Sequence, residues 1–145
     1  MDLIDVREPD ATSLEWISRA EAVHRQLRPQ LPVDYLAKIT RVLASGGRMV
    51  LAASPEHDVL GLAVWRSAEN TFAGRYMYID DLVTDQGRRS RGVGKRLLAR
   101  CEELARAMGC VELVLDSGVQ RADAHRFYFR ERFAIHAFNF SKSLV

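Results

Sequence analysis

The stretch from residue 85 to residue 96, DQGRRSRGVGKR, combines glycines with several cationic side chains. Gly92 and Gly94 lack a Cβ atom, so the backbone at these positions can approach a ligand closely. They open a segment of helical periodicity, and the first N–H groups of a helix have no partner within the helix. These donors, the helix dipole and the arginines together make an anion site, for which a diphosphate is the natural ligand.

The spacing of these residues excludes two common phosphate-binding patterns. The dinucleotide fingerprint GxGxxG fails because Leu97 stands where the third glycine is required. The nucleoside-triphosphate loop, GxxxxGK followed by Ser or Thr, fails because Val93 stands where the lysine is required. The pattern that fits is Arg or Gln, any two residues, Gly, any residue, and Gly or Ala. It is met by Arg89, Gly92 and Gly94.

Three aspartates and one tyrosine are candidates for proton transfer. Asp80 and Asp81 lie within a predicted strand, and Asp116 ends another. In a regular strand, Asp80 and Asp81 point to opposite faces of the sheet. Tyr128 lies on a short predicted helix. Its phenol has an ordinary pKa near 10.

Hydrophobic periodicity and turn signals predict the element order β-α-α-β-β-β-α-β-α-β. The predicted strands span residues 3–7, 48–53, 59–66, 75–84, 111–115 and 133–144. The predicted helices span 13–26, with Thr12 or Ser13 as its N-cap, 33–43, 92–108 and 122–132. The strand–helix–strand unit over 75–115 predicts a right-handed parallel crossover. We therefore expect an α/β fold with a mixed, mostly antiparallel sheet and helices on both faces, in a single domain covering residues 1–145.

With these elements in place, the sequence resembles the GNAT N-acetyltransferases. In that family the glycine loop holds the pyrophosphate of coenzyme A, and a later helix carries the pattern AxxxYxxxGF. Ala124, Tyr128 and Phe133 match this pattern, while Arg132 replaces its glycine. The string DAHRFY is similar to small-molecule acetyltransferases of the aminoalkylphosphonate N-acetyltransferase type. The resemblance covers residues 76–144 well and the rest only in element order.

The resemblance implies where the cofactor, acetyl-coenzyme A, would bind. The pantetheine arm would lie where the strand ending at Thr84 splays from the strand ending at Leu115. Arg121, where many relatives have Asn, would meet the cofactor differently or face the acceptor. The implied cofactor-binding residues are Leu82, Val83, Thr84, Arg89, Ser90, Arg91, Gly92, Val93, Gly94, Lys95 and Arg121. No metal is implied.

Amide formation requires a neutral acceptor amine, a donor to the thioester oxygen and a proton for the departing thiolate. A backbone N–H near Val83 is the candidate donor, and Tyr128, which would face the sulfur, is the candidate acid. The base stays open among Asp80, Asp81 and Asp116. Asp81 ranks first because it abuts the predicted cleft.

The composition bounds the partners. The chain has 145 residues, of which 48% are apolar and 28% charged, and its net charge is +2. This near balance disfavours nucleic-acid binding. No apolar run approaches the roughly 20 residues that span a bilayer, and the acidic N-terminus is unlike a signal peptide. We expect a cytoplasmic enzyme that binds no metal, nucleic acid or membrane, and by analogy a homodimer.

The predicted activity is acetyl transfer from acetyl-coenzyme A to a primary amine of a small molecule. An acidic group on that molecule would find partners among Arg48, Arg66 and Arg75. Two alternatives stay open. A protein or peptide N-acetyltransferase would need an open groove, and a non-catalytic acyl-coenzyme A sensor would need neither Tyr128 nor a base.

Overall fold

The structure, a computed structural model, describes residues 1–89 and 91–145. Ser90, one of the expected cofactor-binding residues, lies outside the described residues. The strands are β1 (Asp2–Val6), β2 (Arg48–Ala53), β3 (Val59–Glu69), β4 (Arg75–Thr84) and β5 (Glu112–Leu115). The helices are α1 (Ala11–Leu27), α2 (Tyr35–Ala44), α3 (Val93–Ala107) and α4 (Ala122–Arg130). Each of them corresponds to an element predicted from the sequence.

The five strands form one sheet in chain order. Successive strands from β1 to β4 pair antiparallel. The amide of Val111, just before β5, donates to the carbonyl of Arg75, the first residue of β4, at 2.8 Å. Because this bond joins the beginnings of two neighbouring strands, β4 and β5 run in the same direction. The sheet is therefore mixed and mostly antiparallel, as predicted.

Helices cover both faces of this sheet. Leu62 and Val64 of β3 pack into one core with α1 and α2, through Ile17, Ala20, Ile39 and Leu43. Successive strand residues point to opposite faces, so Gly61 faces the other way. There α3 lies so close that a Cβ on Gly61 would come within 2.9 Å of Val93 Cγ1 and 3.1 Å of Leu97 Cδ1. The absence of a side chain at Gly61 thus sets the distance between α3 and the sheet.

Aspartates begin the two helices of the first layer. Asp10 caps α1, because its side chain accepts the amide of Ser13 at 2.8 Å. The prediction of Thr12 or Ser13 as the cap was wrong: both residues lie inside the first turn. Asp34 caps α2 in the same way, accepting from the amide of Ala37 at 3.0 Å.

The sixth strand expected over residues 133–144 is not formed within the part of the chain that the structure describes. Alternating side chains indicate a strand only where a neighbouring strand takes up the backbone N–H and C=O groups. Here the apolar side chains of the segment are exposed, among them Ile135, Phe138 and Phe140. The chain divides into two compact units, Met1–Val114 and Leu115–Val145.

Candidate active site

A bulge in β4 determines where its two aspartates point. The pairing of β3 with β4 passes from Val64 opposite Asp81 to Trp65 opposite Ile79, which leaves Asp80 as an extra residue. An extra residue bends a strand and redirects its side chains. The prediction that Asp80 and Asp81 point to opposite faces of the sheet is wrong, because it requires a regular strand: both carboxylates line one cavity.

This cavity has a volume of about 360 Å³ and belongs to the first unit. Its lining comes from α1, the chain that follows it, α2, and strands β2 to β4. The apolar part of the lining consists of Leu31, Pro32, Ile39, Val42, Met49 and Val64. The polar part consists of His24, Arg28, Gln30, Lys38, Arg66, Asp80 and Asp81. A cavity of this size, apolar with a few convergent polar groups, suits a small organic molecule.

Both carboxylate oxygens of Asp81 have strong partners. His24 Nε2 lies 2.8 Å from Oδ2, and Arg28 Nε donates to Oδ1 at 2.7 Å. Burial by itself raises the pKa of Asp81, but the hydrogen bonds from His24 and Arg28 outweigh it and hold the pKa below its ordinary value. Asp81 is therefore a carboxylate at neutral pH.

A buried tyrosine orients the histidine. The hydroxyl of Tyr35 lies 2.9 Å from His24 Nδ1. Burial raises the pKa of Tyr35, so its hydroxyl keeps its proton and is able to donate a hydrogen bond to Nδ1. A neutral imidazole then carries its own proton on Nε2, where it bonds to Asp81. The side chain of His24 is only 2% exposed, so this chain from Tyr35 through His24 to Asp81 is held in place by the core.

Sequence reasoning missed His24 and Arg28. They meet Asp81 across 57 and 53 positions of the chain, and no local pattern reveals such a pairing. The only signal in the sequence was their spacing of four positions, which places both on the same side of the helix around the C-terminal end of α1.

The arginines proposed as partners of an acidic acceptor have different surroundings. Arg66 lines the cavity, and its Nε donates to Asp80 Oδ2 at 2.8 Å. Arg48 does not line the cavity; its Nη1 donates to the carbonyls of Gly47 at 2.7 Å and Leu43 at 3.3 Å. Arg75 is exposed at the start of β4. Of the three, only Arg66 is available to a ligand in the cavity.

The glycine loop of the predicted anion site leads directly into α3. Gly92 adopts the left-handed conformation, with φ 75° and ψ 10°, and precedes α3 without a side-chain cap. The first amides of α3, from Val93 onward, are therefore free of side-chain acceptors from the cap. Four exposed cations around this point have no carboxylate partner among the described residues: Arg89, Arg91, Lys95 and Arg96. By contrast, Arg88 is bound to Asp58 at 2.9 Å.

The backbone at the end of β4 alternates in direction. The amide of Asp85 donates to the carbonyl of Leu60 at 2.9 Å. The register continues with Leu62 opposite Val83, and bonded pairs in an antiparallel ladder recur at every second residue. The amide of Val83 therefore points to β3, and the amides of Leu82 and Thr84 point to the side of β5.

The remaining candidates lie in the second unit. Tyr128, on α4, is half-buried, with ring contacts to Phe127 at 5.5 Å and Phe133 at 5.7 Å. Burial raises the pKa of Tyr128, and the charge of Arg121 lowers it in part. Asp116 is exposed and accepts a hydrogen bond from the side-chain amide of Asn139.

Two structural observations concern metal ions and membranes. No cluster of three or more His, Cys, Asp or Glu side chains suited to a metal ion occurs in the described part of the chain. None of the described helices is both long and apolar enough to cross a membrane.

Residues 12–133 match the family model described as the acetyltransferase (GNAT) family. The chain belongs to the GNAT acetyltransferases. The expected family and fold class are thereby confirmed, and the chain is an acetyltransferase by membership. It is 32% identical over 133 residues to an uncharacterised N-acetyltransferase, YhdJ, of Bacillus subtilis, which covers 90% of this chain and 94% of that protein. It is 41% identical over 66 residues to the aminoalkylphosphonate N-acetyltransferase of Salmonella typhimurium, or 46% of this chain and 43% of that protein.

Solved structures of GNAT proteins share the fold. The aminoglycoside N-acetyltransferase AAC(6')-Iy in complex with CoA superimposes with a TM-score of 0.82 at 20% identity, covering 99% of this chain and 95% of that chain. A probable acetyltransferase superimposes equally well, with a TM-score of 0.82 at 18% identity over 100% and 99% of the two chains.

Proposed function

We propose that this GNAT protein transfers an acetyl group from acetyl-coenzyme A to a primary amine of a small molecule bound in the cavity beside Asp80 and Asp81. The observation that carries the proposal is the bulge in β4. It directs two carboxylates into a cavity of about 360 Å³, directly before the strand residues Leu82–Thr84 assigned to the cofactor. Acceptor and thioester would then meet along one strand.

The cofactor is proposed to bind as the sequence predicts. The diphosphate would accept hydrogen bonds from the amides that open α3 after Gly92, and the exposed cations Arg89, Arg91 and Lys95 would neutralise its charge. Ser90 and Arg121 stay assigned to the cofactor as predictions.

The pantetheine arm is proposed to lie beside β4 past the end of β5. β5 is short and ends at Leu115, whereas β4 continues to Thr84. The amides of Leu82 and Thr84 point to this side. We assign one of them, rather than that of Val83, as the donor to the thioester oxygen, because the amide of Val83 points to β3.

The chemistry requires two proton transfers. The amine nitrogen attacks the thioester carbon, a C–N bond forms and the C–S bond breaks, and the nitrogen loses one proton while the sulfur gains one. We assign Tyr128 as the acid for the sulfur. Its raised pKa keeps the phenol protonated over the whole neutral range.

We assign Asp81 as the group that takes the proton of the amine, with Asp80 and Asp116 as the alternatives. The lowered pKa of Asp81 makes it too weak a base to deprotonate a free alkylammonium, whose pKa is about 10.4. It can take the proton only as the C–N bond forms, when the nitrogen becomes far more acidic. The acceptor must therefore enter as the neutral amine.

Two observations favour a small acceptor over a protein. The cavity has the size of a small-molecule site. The relative in Salmonella typhimurium bears the name of an enzyme for aminoalkylphosphonates. A protein N-acetyltransferase and an acyl-coenzyme A sensor are the competing functions, and both are outcomes of the test.

The test has two arms. Calorimetry with coenzyme A and acetyl-coenzyme A measures cofactor binding. A coenzyme A release assay then measures turnover with aminophosphonates, amino acids, polyamines, aminoglycosides and lysine peptides. Turnover of small amines supports the proposal. Turnover of peptides alone identifies a protein acetyltransferase, binding without turnover identifies a sensor, and no binding at millimolar cofactor refutes all three functions.

A further inference from the structure

The cavity contains one positive charge that the protein does not neutralise. Each carboxylate of the lining already has an arginine: Arg28 lies 2.7 Å from Asp81, and Arg66 lies 2.8 Å from Asp80. Lys38, the third cation of the lining, has no carboxylate partner among the residues that the structure describes. The lining therefore has three cationic side chains, Arg28, Arg66 and Lys38, and two carboxylates.

Lys38 lies in surroundings where a charge needs a partner. It is half-buried on α2, next in sequence to the fully buried Ile39, and both residues line the cavity together with Val42. A charged group beside apolar side chains has lost part of its hydration, and an opposite charge offsets that loss. An ammonium group bound to an anion makes charge-assisted hydrogen bonds, which are about twice as strong as neutral ones.

We propose that the acceptor amine carries an anionic group, a carboxylate or a phosphonate, and that Lys38 binds it. This inference rests on the proposed function, because it assumes that the cavity holds the acceptor. The anion would lie at α2, and the amine at the bulge of β4 beside Asp80 and Asp81. The cavity of about 360 Å³ limits the acceptor to a short molecule.

The same charges disfavour polycations. A polyamine or an aminoglycoside would bring further positive groups into a lining that already has an excess of them, and like charges repel. We therefore expect this protein to share the fold of the aminoglycoside acetyltransferases but not to acetylate aminoglycosides.

The test compares amines that differ in their second group. The probes are 2-aminoethylphosphonate, 3-aminopropanoate, the uncharged 3-aminopropan-1-ol, and spermidine. For each we would measure kcat/KM by coenzyme A release, and binding by calorimetry with coenzyme A present. We expect at least one anionic probe to exceed the uncharged amine by about 10- to 100-fold in both quantities, as expected of one charge-assisted hydrogen bond. The better of the two anionic probes identifies the group.

Variants of Lys38 test the assignment itself. Lys38→Gln should bring the ratio of kcat/KM for the anionic probe to that for the uncharged amine close to one. It should do so by raising KM for the anionic probe with little change in kcat, because Lys38 does not touch the reacting atoms. Lys38→Arg should restore most of the preference. Arg41→Gln is the matched control, since it removes the same charge from an exposed position of α2 outside the cavity lining. It should leave the preference unchanged.

The inference fails if the wild-type protein prefers neither anionic probe, or if Lys38→Gln keeps the preference of the wild type. Efficient turnover of spermidine or 3-aminopropan-1-ol alone would overturn it and leave the proposed function standing. Absence of cofactor binding and of all turnover would instead refute the proposed function.

Discussion

In the proposed chemistry, the hydroxyl of Tyr128 gives its proton to the departing sulfur of coenzyme A. Tyr128→Phe removes this hydroxyl and keeps the ring contacts with Phe127 and Phe133. We expect turnover to fall by about 10²- to 10⁴-fold, as for the loss of a positioned acid, with the Kd for acetyl-coenzyme A within about threefold of wild type. Tyr76→Phe, a half-buried tyrosine of β4 outside the assigned site, is the control. A Tyr128→Phe enzyme within twofold of wild-type turnover would show that the acid lies elsewhere.

The pH dependence of kcat/KM should be determined by ionisation of the acceptor amine rather than of an enzyme group. Asp81 is ionised from acidic pH upward and Tyr128 stays protonated, because the pKa of the first is lowered and that of the second is raised. Neither group titrates between about pH 6 and 9, where the neutral fraction of an alkylamine of pKa about 10.4 grows about tenfold per unit. We expect kcat/KM to rise with that slope and to level off near the pKa of the acceptor. With an acceptor of lower pKa, the pH at which kcat/KM levels off should fall by the difference between the two pKa values. If this pH stays the same, an enzyme group is the one that titrates.

At the residue scale, local patterns in the sequence indicated candidate residues close together in the chain, whereas contacts between distant residues left no such pattern. Gly92 lies where a helix begins, so its spacing to Arg89 and Gly94 is readable in the chain. His24 meets Asp81 from 57 positions away, which only the packing of α1 on the sheet determines. The role of Asp81 was therefore ranked on its position alone, without the donors that lower its basicity.

At the scale of elements, the contact of α3 with the sheet positions the amides at the start of α3, which we propose bind the cofactor. Gly61→Ala would place a Cβ 2.8 Å from the carbonyl oxygen of Val83 and 2.9 Å from Val93 Cγ1. The contact with Val93 forces α3 to shift, and the contact with the backbone oxygen of Val83 strains the pairing of β3 with β4. We expect a loss of about 1–3 kcal/mol in the free energy of unfolding, measured by urea denaturation, and a weaker affinity for coenzyme A, measured by calorimetry.

Gly87→Ala is the matched control for stability, because its added Cβ would meet only Asp85 Oδ2, at 3.8 Å. It should unfold within about 0.5 kcal/mol of wild type. If Gly61→Ala were equally stable and bound coenzyme A as tightly as wild type, the close approach of α3 would not set the cofactor site.

Elements were predictable where the chain encodes them locally. Alternation and turn residues located β2 and β4 at their observed bounds, and the apolar stripe located α3. The bulge at Asp80 was not predictable, because an extra residue leaves no signature in a run such as RYMYIDDLVT and depends on the register with β3. The missing strand after residue 133 shows the opposite error, in which a local pattern was present and the backbone partner was not.

At the scale of the molecule, the group formed by Asp81, His24 and Arg28 links helix α1 to strand β4 of the first unit. The pKa of Asp81 is lowered in the folded protein from the ordinary value of 3.8. A lowered pKa stabilises the fold fully above that ordinary value, and the stabilisation is lost as the pH falls through the folded pKa. Acid unfolding of the first unit should therefore depend on this one carboxylate.

Asp81→Asn tests this dependence. At pH 7 the variant should lose about 1–3 kcal/mol in the free energy of unfolding, because the buried His24 and the partly exposed Arg28 lose a charged acceptor. Urea denaturation at a series of pH values should show the difference from wild type shrinking below about pH 4, where the wild-type carboxylate gains its proton as well. Asp123→Asn, which removes an equal charge from a pair with Arg126 at an exposed position, should change stability by about 0.5 kcal/mol or less at every pH. A difference between Asp81→Asn and wild type that stayed constant from pH 7 down to the acid limit would mean that the loss came from packing, and that the charge of Asp81 does not hold α1 to the sheet.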